Sequence, residues 1–308
     1  MKPQVDAVDI DVKTGTTLGF YEYGEDRPNV FLVSGMSGTS ATDVYAGYLI
    51  MKFLDAVERI DGSITVLPVA SPLSFRLGTT VSPLDSKDID AVFPGDEKGT
   101  VTERTSREVW RRAVQADYLI HLRTGWNSCV NHIVCMHREY IHVRNLASQL
   151  ALPLVVESPD ARGALPIEAA HEGIPAVAIE MRGGRDQVEP QAAVEVREAF
   201  LNFLRIKDMI PGDRIEVSPS FMGIPHHVNV EHEGFFVPTV NVGEVVERGD
   251  VIGTVQDDKK VVSSYDGAVV SLSNINYVFE GDTIARIAPP LIEREDQNGA
   301  HQQLRRKW

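Results

Sequence analysis

Through its first two thirds this 308-residue chain alternates short apolar runs with stretches of helical length, and near Pro211 that rhythm stops. Apolar runs of four to eight residues separated by amphipathic stretches are the pattern of an α/β sheet. VDAVDIDV and TLGFYEY, joined at Lys13-Thr14-Gly15-Thr16, read as an opening hairpin, and NVFLVSG reads as a buried strand. A long amphipathic helix is expected from about Thr39 through AVERI, then a strand at ITVLPVA and a long loop over 71 to 99. Thr100 and Glu103 have capping-box spacing ahead of a helix in TERTSREVWRRAVQ. DYLIHLR, NHIVCMH, LPLVVE and PAVAIEM supply further strands, with helices near 141 to 150, 163 to 172 and 188 to 206.

Beyond Pro211 no helical pattern is expected, and Gly-Asp turns punctuate short Val- and Ile-rich strands in VGEVVERGDVIG, YDGAVVSL and VFEGDTIARI. This stretch resembles the lipoyl or biotinyl-like barrel-sandwich module. A true carrier presents a modified Lys on a hairpin; Lys259 and Lys260 lie too close to Gly267 for that, so an ordinary charged turn is expected there. The expected division is an α/β domain over 1–210, a small β domain over 211–290 and a polar tail over 291–308.

Thirty basic against 44 acidic residues give a net charge of −14, which disfavours nucleic acid and anionic membranes as partners. No apolar run reaches the roughly 18 residues of a membrane span, and MKPQVDAVDID lacks the apolar segment of a signal peptide. A cytoplasmic location is expected. Two cysteines six residues apart make no disulfide framework, which agrees with a reducing compartment.

Three stretches carry a resemblance: FLVSGMSGTSATD at 31–43, LPVASPLSF with SPLDSKDIDAVFPGD between 67 and 96, and ADYLIHLRTG at 116–125. In order and spacing they resemble the zinc-dependent succinylglutamate desuccinylase/aspartoacylase family, relatives of the zinc carboxypeptidases. The resemblance implies a mixed-sheet α/β domain of zinc carboxypeptidase type followed by the small all-β domain. In that family Gly-x-His-Gly-x-Glu and Asp-Leu-His supply the zinc ligands, and the matching positions here look like Ser37, Ser40 and Arg123. A hydroxyl is a poor zinc ligand, and a guanidinium has no lone pair to offer. The family's carboxylate grip, an Arg and an Asn-Arg pair, is matched by Thr80, Asp90 and Ala91. Glu180, in PAVAIEMRGG, matches the family's general base and is the one catalytic position retained.

With both halves of the zinc site and of the grip altered, the expectation is a catalytically silent member, with no cofactor and no metal at the family's locus. It would bind a small carboxylate-bearing molecule or act, in a homo- or hetero-oligomer, as partner subunit to an active paralogue. The competing expectation is an amide hydrolase, an N-acyl amino acid deacylase working through a relocated metal or through Ser37, His121 and Glu180 without zinc.

Ser37 and Ser40 lie where a strand turns into a helix, a place that suits an anion or a simple helix cap. His121 and Arg123, two apart on a strand, share a face; Arg123 is expected to pair with Glu180 or to meet a ligand carboxylate, and Arg182 to share the face of Glu180. Cys129, His132, Cys135, His137 and His142 form a dense run of metal-capable residues. Counted along one strand, Cys129, Cys135 and His137 share a face and His132 points away, so core packing is expected rather than a metal site.

Overall fold

The computed structural model describes residues 1–39, 41–125, 128–183 and 187–291. Its strands run in chain order β1 (Gln4–Asp11), β2 (Thr16–Gly24), β3 (Asn29–Val33), β4 (Ser63–Leu67), β5 (Tyr118–Thr124), β6 (Ser128–Cys129), β7 (His132–Cys135), β8 (Leu154–Glu157) and β9 (Ala176–Met181). There follow β10 (Ser220–Met222), β11 (His226–Asn229), β12 (Gly234–Pro238), β13 (Val245–Val246), β14 (Val251–Val255), β15 (Lys259–Val262), β16 (Gly267–Leu272), β17 (Asn276–Val278) and β18 (Thr283–Ala288). The helices are α1 (Ala41–Ala56), α2 (Pro72–Leu77), α3 (Val101–Ala113), α4 (Ile141–Gln149), α5 (Leu165–His171) and α6 (Pro190–Ile206). None is long and apolar enough to cross a membrane.

Nine strands form a mixed sheet in the order β1-β2-β4-β3-β5-β9-β7-β8-β10. The hairpin β1-β2 is antiparallel, its turn closed by Asp11, whose carboxylate accepts from the backbone N–H groups of Lys13 and Thr14. The central strands β3, β4, β5 and β9 are parallel, buried on both faces, and so read as continuous apolar runs. One face, with Ile120, Leu122, Val177 and Ile179, packs against α1, α4 and α6; at one end of the other face Phe31, Leu119 and Ala176 pack against α3 and α5. That second face continues across β7 and β8. There Val134, Val156 and Ala178 meet Ala268, Val270 and Ala288 of the C-terminal strands.

The C-terminal region is all β among its described residues. One antiparallel sheet runs β11-β18-β16-β13 with β6 joining β16, and a second runs β15-β14-β12-β17. The connection is two-way, since β10 adds to β8 in the large sheet while β6 crosses into the small one. Lys259 and Lys260 open β15, so the charged turn lies just before them, at Gln256 and Asp257 with positive φ.

Several boundaries differ from the sequence expectation. Helix α1 ends at Ala56 rather than running through Ile60. The expected long loop over 71–99 contains α2, begun by Pro72 and ended by Gly78 in the left-handed region, and a single 3-10 turn at Ile89–Ala91. At α3 the expected capping pair is present as the Thr100 N–H donating to the Glu103 carboxylate at 2.8 Å. NHIVCMH is a strand only over His132–Cys135, with β6 split from it at Val130 and Asn131. Ser40 and the polar tail from residue 292 lie outside the described residues.

Candidate active site

The turn between β3 and α1 survives in detail. Gly35 has φ +64, and a Cβ there would come within 2.8 Å of the Val69 Cα. At Gly38 a Cβ would overlap the Ser74 carbonyl oxygen at 1.9 Å, so the first and second motifs are packed backbone to backbone. Buried Asp43 at the start of α1 ties the turn to β5, accepting from the Gly35 N–H at 3.1 Å and contacting the Thr124 hydroxyl at 3.3 Å. Burial pushes its carboxyl up to about 7 against these hydrogen bonds. Ser37 is spent locally, its Oγ 3.0 Å from the Thr39 hydroxyl and accepting from the Thr39 N–H at 3.3 Å.

Beside that turn, three adjacent strands deliver one row of side chains. In the parallel register of β5 and β9, Arg123 lies opposite Glu180; in the antiparallel register of β9 and β7, Glu180 lies opposite His132. Directly paired residues project to the same face. The Arg123 guanidinium is 3.0 Å from the Glu180 carboxylate. From above, Arg286 on β18 pairs with the other oxygen of Glu180, while its Nε donates to the Ser271 hydroxyl at 2.8 Å. Glu180 is only 4% exposed. Burial alone would raise its carboxyl; the positive charge of Arg123, with the charge and hydrogen bond of Arg286, outweighs that and holds it at about 2.

The row opens into a cavity of about 270 Å3 between the large sheet and the C-terminal strands. Arg123, His132, Glu157, Ser158, His227 and Arg286 supply its polar lining. Two guanidiniums against one ionised Glu180 leave this end of the cavity with an excess of positive charge. The Nε of Arg123 is buried with no hydrogen-bond acceptor among the described residues.

The other candidates are placed elsewhere. His121 is buried on β5 and neither ring nitrogen has a hydrogen-bond partner among the described residues; the carboxylate of Asp90 lies 3.8 Å from Nδ1. Burial lowers its pKa. Ser37, His121 and Glu180 therefore form no triad: the Ser37 hydroxyl turns to Thr39, and Glu180 is held by the two arginines. Asp90, at a position of the family's carboxylate grip, instead accepts from the N–H of Leu165 at the start of α5 at 3.2 Å. Arg182 follows the end of β9, and its guanidinium lies 3.8 Å from Glu195 on α6.

The cysteine and histidine run is dispersed by the break between β6 and β7. Cys129 lies in the small sheet, opposite Ser271, and Cys135 lies in the core of the large one. Both are free and buried, and burial pushes the Cys129 thiol up to about 12. Within β7 His132 and Cys135 are three residues apart and lie on opposite faces, which puts His132 opposite Glu180, while the break takes Cys129 out of that strand. No group of three or more His, Cys, Asp or Glu side chains among the described residues could hold a metal ion.

Zinc at the family's locus does not fit the residues present. Arg123 stands at one ligand position with its cation on Glu180, and Ser37 at another with its hydroxyl bonded to Thr39. Arg286, which comes from 106 residues beyond Glu180, carried no signal in the sequence.

Residues 26–207 match the model of the succinylglutamate desuccinylase/aspartoacylase catalytic domain, and the chain belongs to that family. The N-alpha-acetyl-L-2,4-diaminobutyric acid deacetylase of Halomonas elongata is 25% identical over 287 residues, 85% of this chain and 82% of the relative. The succinylglutamate desuccinylase/aspartoacylase of Rhodobacter sphaeroides shares the fold with a TM-score of 0.80 at 20% identity, covering 94% of this chain and 96% of that one. The product-bound ectoine utilization protein EutE (DoeB) of Ruegeria pomeroyi does so at 0.79 and 19%, covering 93% of each. These relatives overturn the expectation of a catalytically silent protein, which rested on substituted residues alone. The likeness to the deacetylase covers 85% of this chain, and the competing expectation of an amide hydrolase is the one it favours.

Proposed function

We propose that this protein is an amide hydrolase that removes a short acyl group from a small N-acylated amino acid. The observation that carries the proposal is the placement of Glu180, ionised and buried, between Arg123 and Arg286 at the edge of the cavity. Hydrolysis of a linear amide passes through a tetrahedral oxyanion, and preorganised cationic donors in a water-poor site stabilise developing negative charge better than water does. Arg123 and Arg286 are such donors, and Glu180 holds both in place. The same excess of positive charge suits the carboxylate of an amino-acid substrate. At about 270 Å3 the cavity is near the lower end of ligand pockets, which favours a small molecule. The deacetylase activity of the Halomonas elongata relative supports an acetyl group as the first acyl group to test.

The C-terminal sheets belong to this reading. We infer that they form a barrel-sandwich of the lipoyl or biotinyl-like type, used as a lid that brings Arg286 over the α/β sheet rather than as a carrier of a prosthetic group.

The test is release of free amine from a panel of N-acetyl amino acids, including N-alpha-acetyl-L-2,4-diaminobutyrate. Turnover should be present in the wild type and fall at least ~100-fold in Glu180→Gln and Arg286→Met, the scale of one lost oxyanion donor. Wild-type protein that releases no amine from any member of the panel would refute the proposal.

A further inference from the structure

Glu180 is a poor proton acceptor in this site. Its two carboxylate oxygens face Arg123 and Arg286. A group so stabilised as an anion has little tendency to take a proton from water. Hydrolysis of an amide needs a base for the attacking water and an acid for the departing nitrogen, so another group in the cavity has to move the proton.

We propose that His132 is that group, a catalytic residue that takes the proton of the attacking water on Nε2 and returns it to the leaving amine. The assignment rests on the hydrolase reading. His132 begins β7 directly across from Glu180, and it lines the cavity. Its Nδ1 lies 2.8 Å from the carbonyl oxygen of Val130. A carbonyl can only accept, so Nδ1 carries the hydrogen, and in the neutral ring Nε2 keeps its lone pair.

The groups facing the ring are Glu180 on β9, Arg123 on β5 and Arg286 on β18, with Glu157 and His227 on the cavity wall. Burial lowers the pKa of His132, Glu180 and the Val130 carbonyl oppose that, and the two arginines add to it. The balance leaves a neutral ring ready to act as a base, with one anion beside it to steady the imidazolium once formed.

The step balances without a co-reactant. One water proton passes to Nε2 as the water oxygen bonds to the amide carbon, and the carbonyl oxygen takes the charge beside the guanidiniums of Arg123 and Arg286. The Nε2 proton then moves to the amide nitrogen, the C–N bond breaks with its electron pair on nitrogen, and carboxylic acid and amine leave. His132 returns to its starting form.

Two measurements test this. The first is amine release from N-alpha-acetyl-L-2,4-diaminobutyrate across pH 5 to 9 for the wild type and for His132→Asn, whose amide can still donate to Val130. We expect kcat to fall at least ~100-fold with KM little changed, and the acid limb of kcat/KM to disappear. The second is the nitrogen-15 spectrum of the wild-type imidazole, in which His132 should show the Nδ1–H tautomer and bind a proton only below the ordinary histidine range. A wild type inactive on all N-acetyl amino acids overturns the hydrolase reading and this assignment with it. Active protein whose His132→Asn variant keeps its kcat and its acid limb, or a wild-type ring protonated on Nε2, overturns this assignment alone.

Discussion

The guanidinium of Arg286, on the last strand of the C-terminal sheets, rests on the carboxylate of Glu180 near the end of β9 in the large sheet. The two residues are 106 positions apart, and their contact joins the two halves of the fold at the cavity. Removing one partner of a buried ion pair leaves the other charge desolvated, which costs about 3 to 5 kcal/mol. Arg286→Ala should fall near the lower end of that range, since Arg123 still faces Glu180, and the double variant Glu180→Gln/Arg286→Met should recover most of the loss. Urea unfolding of the three proteins measures this; an Arg286→Ala variant as stable as the parent would show that the pair contributes nothing.

The same carboxylate sets a pH dependence. Glu180 is held at about 2 in the folded protein against an ordinary value of 4.5, so the unfolded chain binds its proton first as pH falls. Its contribution to stability is therefore complete above the ordinary value and is lost as pH drops from there toward 2. The wild type should lead Glu180→Gln by a constant margin above about pH 5, and the margin should shrink below it. Unfolding midpoints at half-unit pH steps decide the matter, and a margin independent of pH would be incompatible with a depressed Glu180.

Much of this arrangement was legible in residue order. The alternation of apolar runs and helical stretches marked the α/β region, and two-residue spacing placed His121 and Arg123 on one face because β5 is an unbroken strand. Arg123 and Glu180 could be paired because each falls within a recognisable motif. Arg286 could not be found, since cross-sheet contacts depend on how the C-terminal strands dock and leave no periodic trace. Two-residue alternation separates His132 from Cys135, since both lie on β7, but it misplaces Cys129, because the chain leaves one sheet at Cys129 and enters the other at His132. The substituted zinc positions were also legible, but residue identity alone could not say whether hydrolysis was lost with them.

Gly35 supports the site through backbone geometry. Its φ of +64 lies in the left-handed region, and the space a Cβ would take is filled by Val69 and Pro68. Gly35→Ala combines strain of about 1 to 3 kcal/mol with a clash that must move the second motif. The variant should lose stability and, because the turn meets β5 through Asp43, should also weaken the positioning of Arg123. Thermal unfolding together with amine release reports both effects, and a Gly35→Ala protein unchanged in stability would mean that this turn is looser than its packing indicates.

Chelation separates this site from that of its zinc-dependent family. A divalent metal bound only to the folded state raises stability by mass action, so stripping it lowers the melting temperature. Here Arg123 brings a fixed positive charge to the place of one ligand, Ser37 brings a neutral hydroxyl already bonded to Thr39, and Coulomb repulsion from Arg123 and Arg286 opposes a second cation beside Glu180. Dialysis against EDTA should leave both the melting temperature and amine release unchanged, and elemental analysis should find zinc well below one per chain. One tightly held zinc per chain, or activity lost to the chelator and restored by zinc alone, would show that residues outside this row supply a metal site and that Arg123 moves aside to admit it.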